Sequence, residues 1–252
     1  MVLQGVVVVG VPSLLAGLGI WLMQRIVPAE RRAANNEVAG YIFAMISGLY
    51  LLTLAFGVIV VWDTSEGAKT AVHDEASNLT ELYWVGHALP SAKAQPIEQR
   101  LGDYLSVVTQ TEWPLMNRHR VSDEATARLQ DLRAELLRLQ PANANEQTLV
   151  QQGLSFMTNA AEARQQRLDA VGEGMSPILW FALLLGGLLT VAFTFWFGLA
   201  NTAWHVGMVV FLTVMVVFTL YLIHLLEFPF SGYVHVSPND LTRVLDLVKG
   251  LR

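Results

Sequence analysis

The chain has no cysteine in its 252 residues. Disulfides, a thiol nucleophile and Cys-ligated zinc or iron–sulfur centres are therefore excluded. Charge is scarce as well. Charged residues make up 15% and hydrophobic ones 53%, against about 25% and about 45–50% in soluble domains. That balance excludes both an ordinary one-core soluble enzyme and a disordered chain. There is no basic excess: the formal net charge is −5, which argues against nucleic acid as a partner. The phosphate-cradling patterns G-x-x-x-x-G-K-[ST] and G-x-G-x-x-G are missing, as is the zinc motif H-E-x-x-H. His73 precedes Asp74 and Glu75, but one turn without a third ligand is no metal site. No cofactor, no metal and no catalytic nucleophile are expected, and the chain does not read as an enzyme.

What charge there is lies in the middle. Residues 63–175 hold 10 of the 16 Lys and Arg and 16 of the 21 Asp and Glu, a net of −6. This reads as a solvated helical surface, or as an acidic vestibule that concentrates cations. On either side are runs of more than twenty residues without charge: Val2–Met23, Gly40–Trp62 and Pro177–Ala200. A fourth, Val206–Leu226, contains only His224. About 20 apolar residues suffice to cross a bilayer as a helix. Trp21, Tyr41, Trp62, Trp180, Trp196 and Trp204 fall near the ends of these runs, as an interfacial belt does. The first run lacks a basic leader and a small-residue cleavage site, so it reads as a span rather than a signal peptide. Pro12 within it predicts a kink, and Gly5, Gly10, Gly17 and Gly19 allow close helix contact.

The expected fold is an all-α membrane protein with four transmembrane helices per subunit. A helical-bundle soluble module is inserted between spans 2 and 3. The division is 1–62 for the first two spans and their short basic loop, 63–175 for the bundle, 176–227 for spans 3 and 4, and 228–252 for a tail. Both termini and the bundle fall on one side. Near the spans that side carries Lys69, Arg164, Arg167, Arg243, Lys249 and Arg252; the other carries Arg25, Arg31 and Arg32. The balance favours a cytoplasmic bundle and cytoplasmic termini.

Within the module, helical periodicity carries the second span on to about Leu89, before Pro90. A second helix is expected over about Gln95–Leu115, ending at Glu112-Trp113-Pro114. A third has Ser122 as its N-cap and ends near Gln140; a fourth starts near Asn145 and runs to Gly172-Glu173-Gly174. Four such helices make a bundle.

The second span has a patterned face. At 100° per residue, Gly40, Phe43, Ser47, Tyr50, Leu54, Gly57 and Val61 lie within about 60° of Asn36. Small and polar residues on an apolar helix suit close contact with a neighbouring helix. They equally suit a pore wall, with Phe43 and Leu54 as constrictions that gate by dewetting and Ser47 and Tyr50 as polar contacts. His224 and Glu227, three apart at the end of the fourth span, are either an interfacial anchor or a pH-responsive pair.

Several short motifs follow one another in a familiar order. They are Glu30-Arg31-Arg32 with Asn35-Asn36 and Gly40, then Gly48-Leu49-Tyr50, Leu54-Ala55-Phe56 and Trp62. Glu75-Ala76, Tyr104, Glu112-Trp113-Pro114 with Met116, and Arg167-Leu168 come next. Glu227-Phe228-Pro229-Phe230-Ser231-Gly232 and Val236-Ser237-Pro238 close the series. In this order and spacing the chain resembles the bestrophin-like family of bacterial membrane proteins over nearly its whole length. The resemblance implies a distant relation to bestrophins, which are pentameric ion channels with four spans per subunit, cytosolic helices and a pore lined by the second span. A bestrophin-type acidic calcium clasp has no counterpart, since only Glu227, Asp240 and Asp246 follow the fourth span.

The function expected is a homo-oligomeric ion channel of the bacterial inner membrane, a pentamer by the resemblance, with a lean to cations. Its partners are the lipid bilayer, further copies of itself and permeating small ions. The alternative is a membrane sensor whose helical bundle binds a ligand outside the cytoplasm.

Overall fold

The computed structural model describes residues 2–172, 174–231 and 235–250. Glu173, Gly232 and Arg252 lie outside the described residues. In chain order the helices are α1 (Val2–Ile26), α2 (Ala29–Ala33), α3 (Asn36–His87), α4 (Ser91–Val107), α5 (Trp113–Met116), α6 (Asp123–Arg138), α7 (Ala144–Gly172), α8 (Pro177–Phe193), α9 (Thr202–Leu226) and α10 (Asn239–Val248). No strand occurs among the described residues. Four helices are long and apolar enough to cross a membrane: α1, α3, α8 with its short continuation to Trp196, and α9. The fold is thus an all-α membrane protein with four spans.

The chain divides into two compact units. One comprises Met1–Trp62 and Met175–Glu227; the other comprises Asp63–Gly174 and Phe228–Arg252. The 52 residues of α3 contribute to both.

In the spanning unit α1 runs antiparallel along α9. Gly5 lies under Tyr221 and Gly17 under Val210; a Cβ at Gly17 would come within 2.7 Å of Val210. Small residues admit this approach, because between helices in lipid the attraction is close van der Waals contact. Pro12 sits inside α1, which nonetheless remains one helix. The spanning part of α3 lies against α8 and α9, around a cluster of Tyr50, Leu54, Val61, Leu183, Val216 and Ile223. The unit's outward side is apolar: Leu14, Met45, Leu49, Phe181, Leu188 and Phe211 are all exposed. In water that surface would be a liability; in hydrocarbon it is solvated.

In the second unit one core gathers Leu79 and Leu82 of α3, Ile97, Leu101 and Tyr104 of α4, Leu132 of α6, Met157 of α7 and Leu241 of α10. Ser122 caps α6, its Oγ accepting from the Ala125 N–H at 3.3 Å. Helix α4 begins at Ser91 rather than near Gln95, with Pro96 accommodated inside it. The predicted single helix to Leu115 is interrupted. A π turn at Val108–Glu112 separates α4 from α5. Its extra residue lengthens the step along the chain, so that Glu112 and Trp113 both follow Val108 into the core.

Candidate functional site

The structure places the eight residues picked out on the second span on one side of α3; space is left beside Gly40, and the lower ones pack against their own chain. Gly57 faces Leu183 and Ile223. The Tyr50 ring lies over Gly186 and Gly187, where a Cβ would come within 2.6 Å of the ring and 2.7 Å of the hydroxyl. Phe43 stacks on Phe193 and meets Phe197 edge-on, at centroid distances of 5.9 and 5.7 Å. The eight grade along the helix. Asn36, Gly40, Phe43 and Ser47 are half-buried, whereas Tyr50, Leu54, Gly57 and Val61 are buried. The Ser47 and Tyr50 hydroxyls have no hydrogen-bond partner among the described residues. On the other side of the same helix Tyr41, Ala44, Gly48, Leu52, Ala55 and Ile59 are exposed.

The loop end of this unit is tied by polar groups. Asn36 grips Gly198 at both backbone atoms: its Nδ2 donates to the carbonyl at 2.8 Å, and its Oδ1 accepts from the N–H at 3.0 Å. Gly198 fits only because it has no side chain; a Cβ there would lie 2.3 Å from the Ala29 carbonyl oxygen. The Arg32 guanidinium donates to the carbonyls of Phe195, Phe197 and Val27 at 3.0, 3.1 and 3.3 Å. These are carbonyls that a helix end leaves without intrahelical partners. His205 is buried with both nitrogens engaged, Nε2 on the Thr194 carbonyl at 3.1 Å and Nδ1 on the Gln24 amide at 2.7 Å. One neutral tautomer satisfies both, with Nε2 donating and Nδ1 accepting.

At the far end of α9, Glu227 is buried and anchors the start of α8. Its Oε1 accepts from the Met175 N–H at 3.0 Å and from the Trp180 indole at 2.8 Å. His224 Nδ1 lies 3.6 Å from the same carboxylate, while its own side chain is mostly exposed.

The second unit holds a buried ionic cluster. Arg167 on α7 donates through Nε to Glu75 at 2.6 Å and through Nη2 to Glu75 and Glu112 at 3.2 and 3.0 Å. Arg164, one turn earlier, donates to Glu112 at 2.6 Å and to Thr126 at 3.1 Å. The Tyr104 hydroxyl donates to Glu75. Arg167 also contacts the Met116 sulfur, and its guanidinium lies 5.4 Å from the Trp113 ring centroid. Two cations thus face two carboxylates, all of them shielded from water. Burial, and then the Glu75 charge, push the Tyr104 hydroxyl well above its ordinary value. Burial alone would lower Arg167, but Glu75, Tyr104 and Glu112 outweigh it and hold the guanidinium charged.

The short motifs quoted from the sequence therefore converge. Glu75 of α3, Tyr104 of α4, Glu112 of the π turn, Trp113 and Met116 of α5 and Arg167 of α7 come together in one cluster. Sequence reasoning missed Arg164 as a member and missed the Gln24–His205 pair. The available signal for Arg164 was its place on the apolar stripe of α7, three residues before Arg167, beside the buried Ala160 and Ala163. Among the described residues no group of three or more His, Asp or Glu side chains is placed to hold a metal.

Comparison with known proteins agrees with this architecture. A family model described as bestrophin-like domain matches residues 10–241. No curated protein matches the chain. Among solved structures, the crystal structure of a membrane protein superposes with a TM-score of 0.69 at 13% identity, covering 95% of this chain and 98% of that one. At that identity the likeness is one of fold.

Proposed function

The chain belongs to the bestrophin-like family, integral membrane proteins of the ion-channel kind, and from that premise we propose that it is a homo-oligomeric ion channel whose second span lines a central pore. The observation that carries this reading is the two-sidedness of α3. One side is held by α8 and α9; on the other, Tyr41, Ala44, Gly48, Leu52, Ala55 and Ile59 are exposed. A helix in that position has a whole face to offer a common axis.

The face on the axis is the exposed one, with Glu37, Tyr41, Ala44, Gly48, Leu52, Ala55 and Ile59. Of the eight residues singled out by helical spacing, Asn36, Gly40, Phe43 and Ser47 border the mouth. Tyr50, Leu54, Gly57 and Val61 brace the pore helix, and would meet water only if α8 and α9 drew back. Permeation favours cations: beyond the span, α3 exposes Asp63, Glu66, Asp74 and Glu81, and acidic surfaces concentrate cations near a conduit. Five copies, a bacterial inner-membrane location, and a cytoplasmic bundle with cytoplasmic termini complete the proposal.

Because the chain has no cysteine, single-cysteine variants carry no background. Purified protein in planar bilayers is expected to conduct cations. Gly48→Cys and Ala55→Cys are expected to be blocked by a charged thiol reagent, and Leu54→Cys and Val61→Cys spared. Modification of the second pair alone would move the axis to the covered face. No conductance to small cations or anions would overturn the channel.

A further inference from the structure

In the helical-bundle unit, α5 ends in a turn that carries two arginines. The Arg120 N–H donates to the Leu115 carbonyl and the His119 N–H to the Met116 carbonyl, both at 3.0 Å. This paired closure is a Schellman motif, whose left-handed position usually belongs to glycine. Here that position is His119, at φ 56°, and its side chain gives the departure a use. The ring meets the Phe228 ring edge-on at a centroid distance of 4.5 Å, and Nδ1 donates to the Val171 carbonyl at 3.2 Å. Trp113, at the start of α5, meets Phe230 edge-on at 5.6 Å. The turn is thus pinned to two further segments of its own unit.

Both segments adjoin a span. Phe228 directly follows Glu227, at the end of α9, and Val171 lies four residues before Met175, at the approach to α8. Glu227 and Met175 are themselves joined at 3.0 Å. The turn therefore lies close to where the chain leaves the membrane and where it enters. Arg118 and Arg120 flank His119, and both are exposed. Neither has an ion pair or a side-chain hydrogen bond among the described residues. By contrast Arg164 and Arg167 are spent on buried carboxylates, and Arg128 lies 3.7 Å from Glu124. From Trp113 to Ser122 the sequence has no acidic residue, although 63–175 as a whole sums to −6. Val121, beside the arginines, is exposed and apolar.

We propose that this turn docks on anionic phospholipid headgroups of the leaflet on the bundle side, with Arg118 and Arg120 taking the phosphates. An acidic module is repelled by an anionic surface. Its chain nevertheless holds at that surface a turn with two uncompensated guanidinium groups, whose planar donors match phosphate. Arginines so placed are attracted to anionic lipid, and an apolar neighbour suits the interface. The site stands whether or not the protein conducts, since it needs only that the spans cross a bilayer.

The test reads proximity to headgroups in the full chain. Val121→Cys gives a single labelling site, and Leu137→Cys gives another, exposed and about 20 Å further along α6. Each carries a fluorophore in nanodiscs of phosphatidylcholine with or without phosphatidylglycerol, and a lipid with a nitroxide headgroup is the quencher. The label at 121 is expected to be quenched more than the label at 137. It is expected to be quenched more with phosphatidylglycerol present, by an increment that shrinks at high salt. With Arg118→Gln and Arg120→Gln added, the docked-to-undocked ratio read from that increment is expected to fall on the order of tenfold. Equal quenching at 121 and 137, equal quenching in both lipids, or an undiminished increment in the arginine variant overturns the proposal. So does disulfide formation between Val121→Cys copies in the membrane without quenching, which would make the turn a subunit contact.

Discussion

Arg167 and Glu75, 92 residues apart, meet at 2.6 Å in the core of the helical bundle, each side chain wholly inaccessible to water. The guanidinium presents two donors to one carboxylate and shares one of them with Glu112. Such forked pairing fixes direction as well as distance. It ties α7 to α3 and to the π turn after α4. A buried ion pair is weak evidence of net stabilisation, because its desolvation cost is large. What it does supply is a strong penalty for losing one member.

Arg167→Met is therefore expected to cost about 3–5 kcal/mol, the range for leaving buried charge uncompensated. Arg167→Lys is expected to rescue only part, since an ammonium cannot reproduce the fork. Chemical denaturation followed by far-ultraviolet circular dichroism reads both. A loss below about 1 kcal/mol for Arg167→Met, the worth of an exposed pair, would mean that water reaches the cluster.

The same cluster predicts an alkaline limit. Tyr104 is held protonated in the folded chain above the ordinary tyrosine value of about 10, by burial first and by Glu75 second. An unfolded tyrosine ionises near that value. As pH rises past it, the unfolded state gives up a proton that the folded state keeps, and stability falls by at most about 1.4 kcal/mol per pH unit. Well below it, this tyrosine adds no pH dependence. Tyr104→Phe is expected to be less stable at neutral pH, having lost the bond to Glu75, and to show a shallower decline in denaturation series taken through the tyrosine range. Equal slopes would count against the assignment.

Much of this architecture was legible in the sequence. Four uncharged runs, the helix-capping Ser122 and the apolar stripes follow from short-range chemistry, which spacing reports directly. The ionic cluster is different. Glu75, Glu112 and the Arg164–Arg167 turn are far apart along the chain, and each alone looks like a solvated charge. Only the bundle brings them together, aided by a π turn that no periodicity announces. The face of α3 is a third case. Gly40, Ser47, Tyr50 and Gly57 do share a side, but small and polar residues suit a helix contact and a water-filled wall alike. The neighbours that divide that side between them, Leu183, Gly186 and Ile223, lie on other helices.

The loop end offers a sharp test of close approach. A methyl group at Gly198 would lie 2.3 Å from the Ala29 carbonyl oxygen and 2.4 Å from the Ala33 nitrogen. Both are backbone atoms and cannot swing aside. Gly198→Ala is expected to abolish the stable protein in detergent, seen as loss of the monodisperse peak in size-exclusion chromatography. Asn36→Ala keeps the space but strands the Gly198 N–H and carbonyl, at about 1–3 kcal/mol for each group left unsatisfied. It is expected to fold with a lowered melting temperature. If Gly198→Ala were as stable as wild type, α2 could not lie where it does.

The contact that positions the proposed pore helix can be dissected atom by atom. A methyl at Gly187 would meet the Tyr50 hydroxyl at 2.7 Å, whereas a methyl at Gly186 would meet the ring carbon Cδ2 at 2.6 Å. The hydroxyl has no hydrogen-bond partner among the described residues, so Tyr50→Phe removes a buried polar group without stranding another, and is expected to be neutral or mildly stabilising. Each glycine-to-alanine change alone is expected to lower the melting temperature by forcing α3 away from α8. In combination with Tyr50→Phe the two should part. Gly187→Ala is expected to recover, because the obstructing atom is gone, and Gly186→Ala to stay destabilised, because the ring remains. A double-mutant cycle in detergent measures both couplings. Equal coupling at the two glycines would mean that the ring does not lie across Gly186 with its hydroxyl over Gly187. The brace on α3 would then have to be sought lower, at Gly57 between Leu183 and Ile223.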